Sequence, residues 1–509
     1  MRVLRFSLLL VLYLASRLTA LGALPMFLDE RIHLRWAWWI AQGRRLRLPF
    51  ISGRGLSVWL LAGIVPHVQD PLRAGRLLTV AMGVVTLVAI HRLAFRAAGD
   101  ARAADLAALF YVACPFTLFY DRMVLTDAYL AAFTALVLLL SIEMARAPGP
   151  GTGVGLGLAL ALGVLAKTTG LLLLAVPLLA LVLVGVDRRR ALRPLAVAYA
   201  LAAALFAYPV WLFFRRTEEL VGAVGVRENE SSFTGNASAN LRLAAQWLWT
   251  YWTPPLALLA VAGLAFALAH RTRWPFAVLL ALVAVGPTLA FVAVSGIWYP
   301  RYLLFTSVPL LVLAGWGLVG LLDAVRKVAR SGPATGGILT AAVLVGALAP
   351  ALRFDLALWT DPARAPFPAL DRFQYVTGWP SGYGLRDSVA FLRHERERRP
   401  GGLLVVTPGP STTAGAVRLL LGADPGVEVR YVDPATGEGP AALARASGRR
   451  AVFVVVSLIQ GVRLPEGWTR ELRPAFASFK PDGAPADAVY RTCVDPGCAL
   501  PPASEAGGR

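Results

Sequence analysis

The sequence predicts a polytopic α-helical membrane protein with about 11 transmembrane helices, followed by a soluble α/β domain. Three observations lead there. Of 509 residues, 57% are hydrophobic and 16% charged, with mean hydropathy +0.61, whereas a soluble domain is about half apolar and about a quarter charged. Long apolar segments recur as far as residue 352, and after it short apolar runs alternate with polar helical patterns. This excludes a disordered chain, a coiled coil and a disulfide scaffold. The net charge of +20 is almost all arginine, since Lys167, Lys327 and Lys480 are the only lysines among 50 basic residues. Those arginines cluster between apolar runs, where they set topology or meet phosphates, so nucleic acid is not implied as a partner.

The spans fall at 4–24, 75–96, 103–120, 127–145, 152–167, 169–186, 193–214, 254–270, 274–297, 302–322 and 335–352. Each is near the length that crosses a bilayer core as helix. The first has no convincing small-residue cleavage site and is read as a retained helix. Between the first two lies a loop, 25–74, whose short apolar stretch 56–66 is placed on the membrane surface. With the N-terminus inside, the inner turns then carry Arg2 and Arg5, Arg92 to Arg102, Arg146, Arg188 to Arg193, Arg271 and Arg273, and Arg326, Lys327 and Arg330. That is the positive-inside pattern at every inner turn. The 25–74 loop breaks it with seven outer arginines, and Arg76 follows at the start of the next span. Either a loop that long escapes the rule, or these cations hold lipid phosphates.

The expected division is therefore a membrane domain, 1–352, and an extracytoplasmic α/β domain, 353–509. In the latter, 402–408, 427–432 and 450–458 read as buried strands, with helices at 386–398, 413–422 and 439–447. It has no Gly-rich phosphate loop, nucleophile elbow or metal-ligand spacing. Cys493 and Cys498 are close enough to close one small loop in an oxidising space.

Ionisable residues near spans are costly and tend to mark function. On the expected topology they gather on the outer side: Asp29 and Glu30, then Asp121, Arg122 and Asp127, then Lys167, Arg215 and Arg216, and Arg301 with Tyr302. Each has a plain structural explanation. Asp29 and Glu30 suit the acidic first turn of an interfacial helix rich in Trp36, Trp38 and Trp39; Asp127 suits a helix cap, Lys167 a snorkelling cation and Arg301 an aromatic belt. Arg17, about two turns before the expected helix end at 24, needs an anion or water.

The order of these motifs is more specific than any one of them. Arg17 in the first span, the Asp29–Glu30 pair in a long first outer loop, RMVLTD from Arg122 to Asp127, Lys167 at an outer hairpin, and Arg301–Tyr302 opening a late span resemble the GT-C glycosyltransferases of the protein mannosyltransferase and aminoarabinose transferase type, glycosyltransferase family 39 in the broad sense. The resemblance covers about 1–322. The stretch 371–392 also looks like the region after the last span in bacterial members. Where the family more often has a basic residue before Pro-Pro, this chain has ISGRGLSVWLLA, 51–62, in which Arg54 is the available substitute.

The resemblance implies a plasma-membrane transferase moving a sugar from a polyprenyl-phosphate carrier to an acceptor hydroxyl on a protein, glycolipid or glycan at the outer face. It carries the base role to Asp29, with Glu30 supporting it, and groups Asp127 with these catalytic carboxylates. Phosphate and donor binding go to Lys167, Arg301 and Tyr302, with Arg17 and Arg122 as further candidates. The residue types fit that chemistry, because a phosphate leaves as a stable anion and needs no general acid, so one base suffices and inversion is expected. No cofactor is assigned, and a divalent cation has no ligand cluster in its favour. Two other readings stay open: a transporter or flippase of lipid-linked sugars, and a sensor acting through 353–509.

Overall fold

The computed structural model describes residues 2–215, 236–296, 298–329, 333–408, 412–422, 424–433, 438–459, 461 and 464–492. Arg216, Arg330, Cys493 and Cys498 lie outside the described residues. The chain divides into two compact units, one of residues 1–23, 36–67 and 73–368, the other of residues 24–35, 68–72 and 369–509.

The first unit is helical. Among the described residues seven helices are long and apolar enough to cross a membrane: Pro71–Ala98, Asp127–Arg146, Arg188–Phe214, Ala237–Leu268, Trp274–Val294, Pro300–Lys327 and Gly337–Thr360. Shorter apolar helices occupy Gly55–His67, Pro150–Ala166 and Thr168–Val184. Large apolar side chains such as Val182, Trp211, Val261, Leu289 and Val345 stand exposed, as suits a chain whose outer solvent is lipid. The protein is a multi-pass membrane protein. Small residues let the helices approach. A Cβ on Gly263 would strike the Leu313 carbonyl, and one on Gly317 the Leu259 carbonyl, so Ala237–Leu268 and Ser307–Ala329 meet backbone to backbone.

Several element boundaries differ from the sequence expectation: the last span, expected to end at 352, runs to Thr360, 169–186 is a 3₁₀ stretch, Thr168–Ala175, followed by the helix Val176–Val184, and three further elements depart as follows. The first helix ends at Leu18 rather than 24. Its exit is held by arginines: Arg122 donates to the Thr19 and Ala20 carbonyls at 2.7 and 2.6 Å, and Arg76 to the Leu21 carbonyl at 2.8 Å. The segment read as one span over 103–120 is two helices, Ala101–Ala113 and Pro115–Tyr120. Pro115 has no N–H, which interrupts the helical ladder at the Tyr111 carbonyl. The helix expected to begin at 254 begins at Ala237 and continues to Leu268 through a kink at Thr253, where φ is +57° just before Pro254 and Pro255.

The second unit holds a five-stranded sheet: β1 Leu403–Pro408, β2 Val427–Val432, β3 Ala451–Ser457, β4 Leu472–Phe479 and β5 Pro485–Thr492. Its order is β2-β1-β3-β5-β4. The first three strands, which the sequence indicates, are parallel, with Val405 opposite both Val429 and Phe453. β1 is buried throughout, as an unbroken apolar run at the centre of such a sheet should be. Strands β4 and β5 were not foreseen; they add an antiparallel hairpin to β3.

Candidate functional site

In the first unit, Asp127 opens the most buried of the candidate spans, in the first turn of Asp127–Arg146. Lys167 follows Pro150–Ala166 in extended conformation, which frees its side chain from the helical row. Arg301 and Tyr302 lie in the 3₁₀ turn Pro300–Thr306. These elements bring four of the expected residues together. The Lys167 ammonium donates to Asp127 Oδ1 at 2.6 Å and sits 3.8 Å from the centre of the Tyr302 ring. Arg301 Nε lies 4.0 Å from the other oxygen, Asp127 Oδ2, and its guanidinium covers the Tyr299 ring at 4.5 Å. Asp127 and Arg301 are buried and Lys167 is nearly so, its side chain 12% exposed. Two cations thus share one carboxylate against tyrosine faces that favour positive charge.

The 51–54 segment adjoins this cluster. Gly53 accepts from the Thr168 amide at 3.0 Å, and the charge of Arg54 acts on Lys167 from within electrostatic range. Gly53 has φ +70°, and a Cβ there would collide with Thr168 Oγ1. Glycine is therefore required.

Arg17 is placed elsewhere. It is fully buried, donates to the Tyr111 carbonyl at 2.9 Å, to that of Val112 and to Thr117 Oγ1 at 3.1 Å, and pairs with Asp121 at 3.4 Å. Asp121 also accepts from Tyr111 at 2.8 Å and from Tyr13 at 3.3 Å. Arg17 thus satisfies the carbonyls left open at the Pro115 break, the kind of repair a helix interrupted inside a membrane needs. Arg122 holds the 19–20 carbonyls described above. Sequence reasoning missed this cluster, although the proline inside an apolar run was a signal for it.

Asp29 and Glu30 belong to the second unit, in the first turn of the helix Leu28–Ala41. Glu30 is buried and its Oε2 accepts from the Phe27 amide at 2.9 Å, half of a capping box. Asp29 is half-buried. Their helix start is held by residues 375–382: the Leu28 amide donates to the Pro380 carbonyl at 3.0 Å, and the Phe27 and Tyr375 rings pack with centres 4.5 Å apart. Also in this unit, burial pulls Lys480 down to about 8, Asp487 and Asp482 opposing, and pushes Asp487 up to about 6 against the attraction of Lys480 and bonds from Thr413 and Ser457. Among the described residues no group of three His, Cys, Asp or Glu side chains could hold a metal ion.

Comparison with known proteins follows the same lines. The family model for dolichyl-phosphate-mannose-protein mannosyltransferase matches residues 56–213. A search of curated proteins finds no significant match. The crystal structure of ArnT from Cupriavidus metallidurans bound to undecaprenyl phosphate is similar at TM-score 0.57 and 16% identity, over 96% of this chain and 97% of that one. The apo structure of the same protein is similar at TM-score 0.56 and 17% identity, over 97% and 98%. The family model over 56–213 and an ArnT-like fold shared nearly end to end agree with the motif order: residues 56–213 resemble that mannosyltransferase family, and the chain as a whole has the fold of the ArnT structures.

Proposed function

We propose that the protein transfers a sugar from a polyprenyl-phosphate carrier to an acceptor hydroxyl at the outer face of the plasma membrane, with inversion. The observation that carries this reading is the meeting of Lys167 and Arg301, from distant parts of the sequence, on one carboxylate above Tyr302. Such a cluster is suited to a phosphate, which would take up the donors that Asp127 shares. Asp127 then acts as the group that keeps both cations in place. Arg17 and Arg122, spent on backbone carbonyls, remain weaker candidates for phosphate. In the second unit, Asp29 accepts the acceptor's proton, its ionised form favoured by the helix N-terminus. Glu30 supports it by fixing that first turn.

The acceptor O–H bond breaks as its oxygen bonds the anomeric carbon, and the bond from that carbon to phosphate oxygen breaks with its electron pair leaving on the phosphate. Cations stabilise the growing charge. Purified protein is to be incubated with a panel of polyprenyl-phosphate sugars and an acceptor extract of the cell envelope. Consumption of at least one donor with transfer to acceptor is expected, and Asp29→Asn should lose about 10²–10⁴-fold in transfer while still binding polyprenyl phosphate. Wild-type transfer by Asp29→Asn would overturn the base assignment; lipid flux with no donor consumed would favour a carrier.

A further inference from the structure

The second unit contains a chain of contacts that ends on the turn bearing Asp29. Lys480 opens the β4–β5 turn, its amide donating to the Ala484 carbonyl at 2.8 Å. It is 4% exposed, and its ammonium donates to the carbonyls of Ser381 at 2.9 Å and Tyr383 at 2.7 Å. Those residues belong to the turn whose Pro380 carbonyl accepts from Leu28. The same turn is pressed against the Asp29 segment at a second point, for a Cβ on Gly382 would strike the Met26 carbonyl. Few alternatives exist for a 380–383 turn held from both sides.

The residue type is informative. This chain uses arginine nearly everywhere it needs a cation, and lysine at three positions. An ammonium is compact, with three donors that rotate to suit nearby carbonyls, whereas a guanidinium is a planar fork. Position 480 needs the former.

We infer that Lys480 is a positioning residue for the transfer reaction, fixing through the 380–383 turn the helix start that carries Asp29. The inference rests on the proposed role of Asp29 as base. Lys480 touches neither donor nor acceptor in this scheme; it holds the carboxylate's backbone in register with the reaction.

The test is steady-state transfer by the full-length protein, with kcat, KM for the donor and the pH profile of kcat/KM for Lys480→Met, Lys480→Arg and Leu28→Pro. Misplacing a reacting group lowers kcat on the order of 10–100-fold, so that loss is expected in Lys480→Met at unchanged donor KM. A loosened helix start also withdraws its support for the ionised base, so the acidic limb should move up by about half a pH unit. Lys480→Arg should not rescue. Leu28→Pro removes the N–H at the Pro380 end, at a helix position that tolerates proline, and should reproduce the shift of the limb. A merely destabilised enzyme would lose active fraction with the limb in place, and that result overturns the inference. If Lys480→Met does not fold, Leu28→Pro decides, a wild-type profile overturning it. Asp29→Asn run alongside separates the two claims: full transfer in Asp29→Asn removes the base reading, whereas an inactive Asp29→Asn beside normal Lys480→Met and Leu28→Pro removes only this one.

Discussion

Lys167 and Asp127 are joined at 2.6 Å across 40 residues of sequence, and the same carboxylate keeps Arg301 at 4.0 Å. Removing one member of a buried ionic group leaves the others uncompensated, at a cost of about 3–5 kcal/mol.

Asp127→Asn is therefore expected to lose stability of that order in detergent, read as a lower unfolding temperature, with a specific remedy. A phosphate replaces the lost anion, so added polyprenyl phosphate should raise the melting temperature of Asp127→Asn more than that of the wild type, by the linkage of binding to stability. Equal ligand-induced shifts in the two proteins would remove the phosphate from this cluster.

Arg17→Met provides the contrast. Its partners are Asp121, two backbone carbonyls, Thr117 and Ser16, so its loss should cost a similar ~3–5 kcal/mol. Here polyprenyl phosphate should give no extra stabilisation. Thermal melts with and without the lipid read both outcomes.

Gly53→Ala forces a side chain into a left-handed conformation and onto Thr168 Oγ1. Strain of about 1–3 kcal/mol is expected to displace the segment that brings Arg54 near Lys167. Donor KM should rise several-fold with little change in kcat, and steady-state kinetics over a range of donor concentrations measures it.

The Asp487 carboxyl, pushed up to about 6 by burial, gives the sheet unit a pH dependence. Its folded pKa lies above the ordinary carboxyl value, so the folded state binds the proton more tightly. That contribution is full below about pH 4 and is lost as pH rises through about 6. The whole span is worth about 3 kcal/mol. Lys480, pulled down to about 8, works in the opposite sense: its contribution is full above about pH 10.5 and is lost as pH falls through about 8. Both groups are therefore charged and costly between about 6 and 8. Hydrogen exchange at the β3 and β5 amides of the full-length protein should slow relative to the intrinsic rate as pH falls from 7 to 5, and Asp487→Asn should flatten that trend.

What could be read from the sequence was what repeats locally along it. The run 274–297 announces its helix because apolar residues alone decide the matter; β1 and β3 stand out as short Val-rich apolar runs and β2, VEVRYV, as alternating valine and polar residues. The part of Ala237–Leu268 before residue 254 was hidden by Asn240, Arg242 and Gln246, and by Pro254–Pro255, which look like a beginning rather than a kink. β4 was hidden by Pro474 and register shifts, tolerated because it is an edge strand. For the candidate site, motif order named Asp127, Lys167, Arg301 and Tyr302 together with Asp29, Glu30, Arg17 and Arg122. Their pairing was not legible, since Asp127 read in isolation is a helix cap and Lys167 a snorkelling cation. Lys480 gave no local signal, because its partners are main-chain carbonyls about 100 residues away.

The second compact unit is assembled from residues 24–35 and 68–72 together with residues from 369 onward. During synthesis at ~5–20 residues per second, the early strip waits roughly 20–70 s for roughly 330 intervening residues to be made. Throughout that interval the nascent chain has the Leu28 amide but not the carbonyl of Pro380 that anchors its turn. The helix start at Leu28 therefore gains its anchor only after residue 380 has been made, so a chain stopped short of that point lacks the contact that orders this end of the second unit.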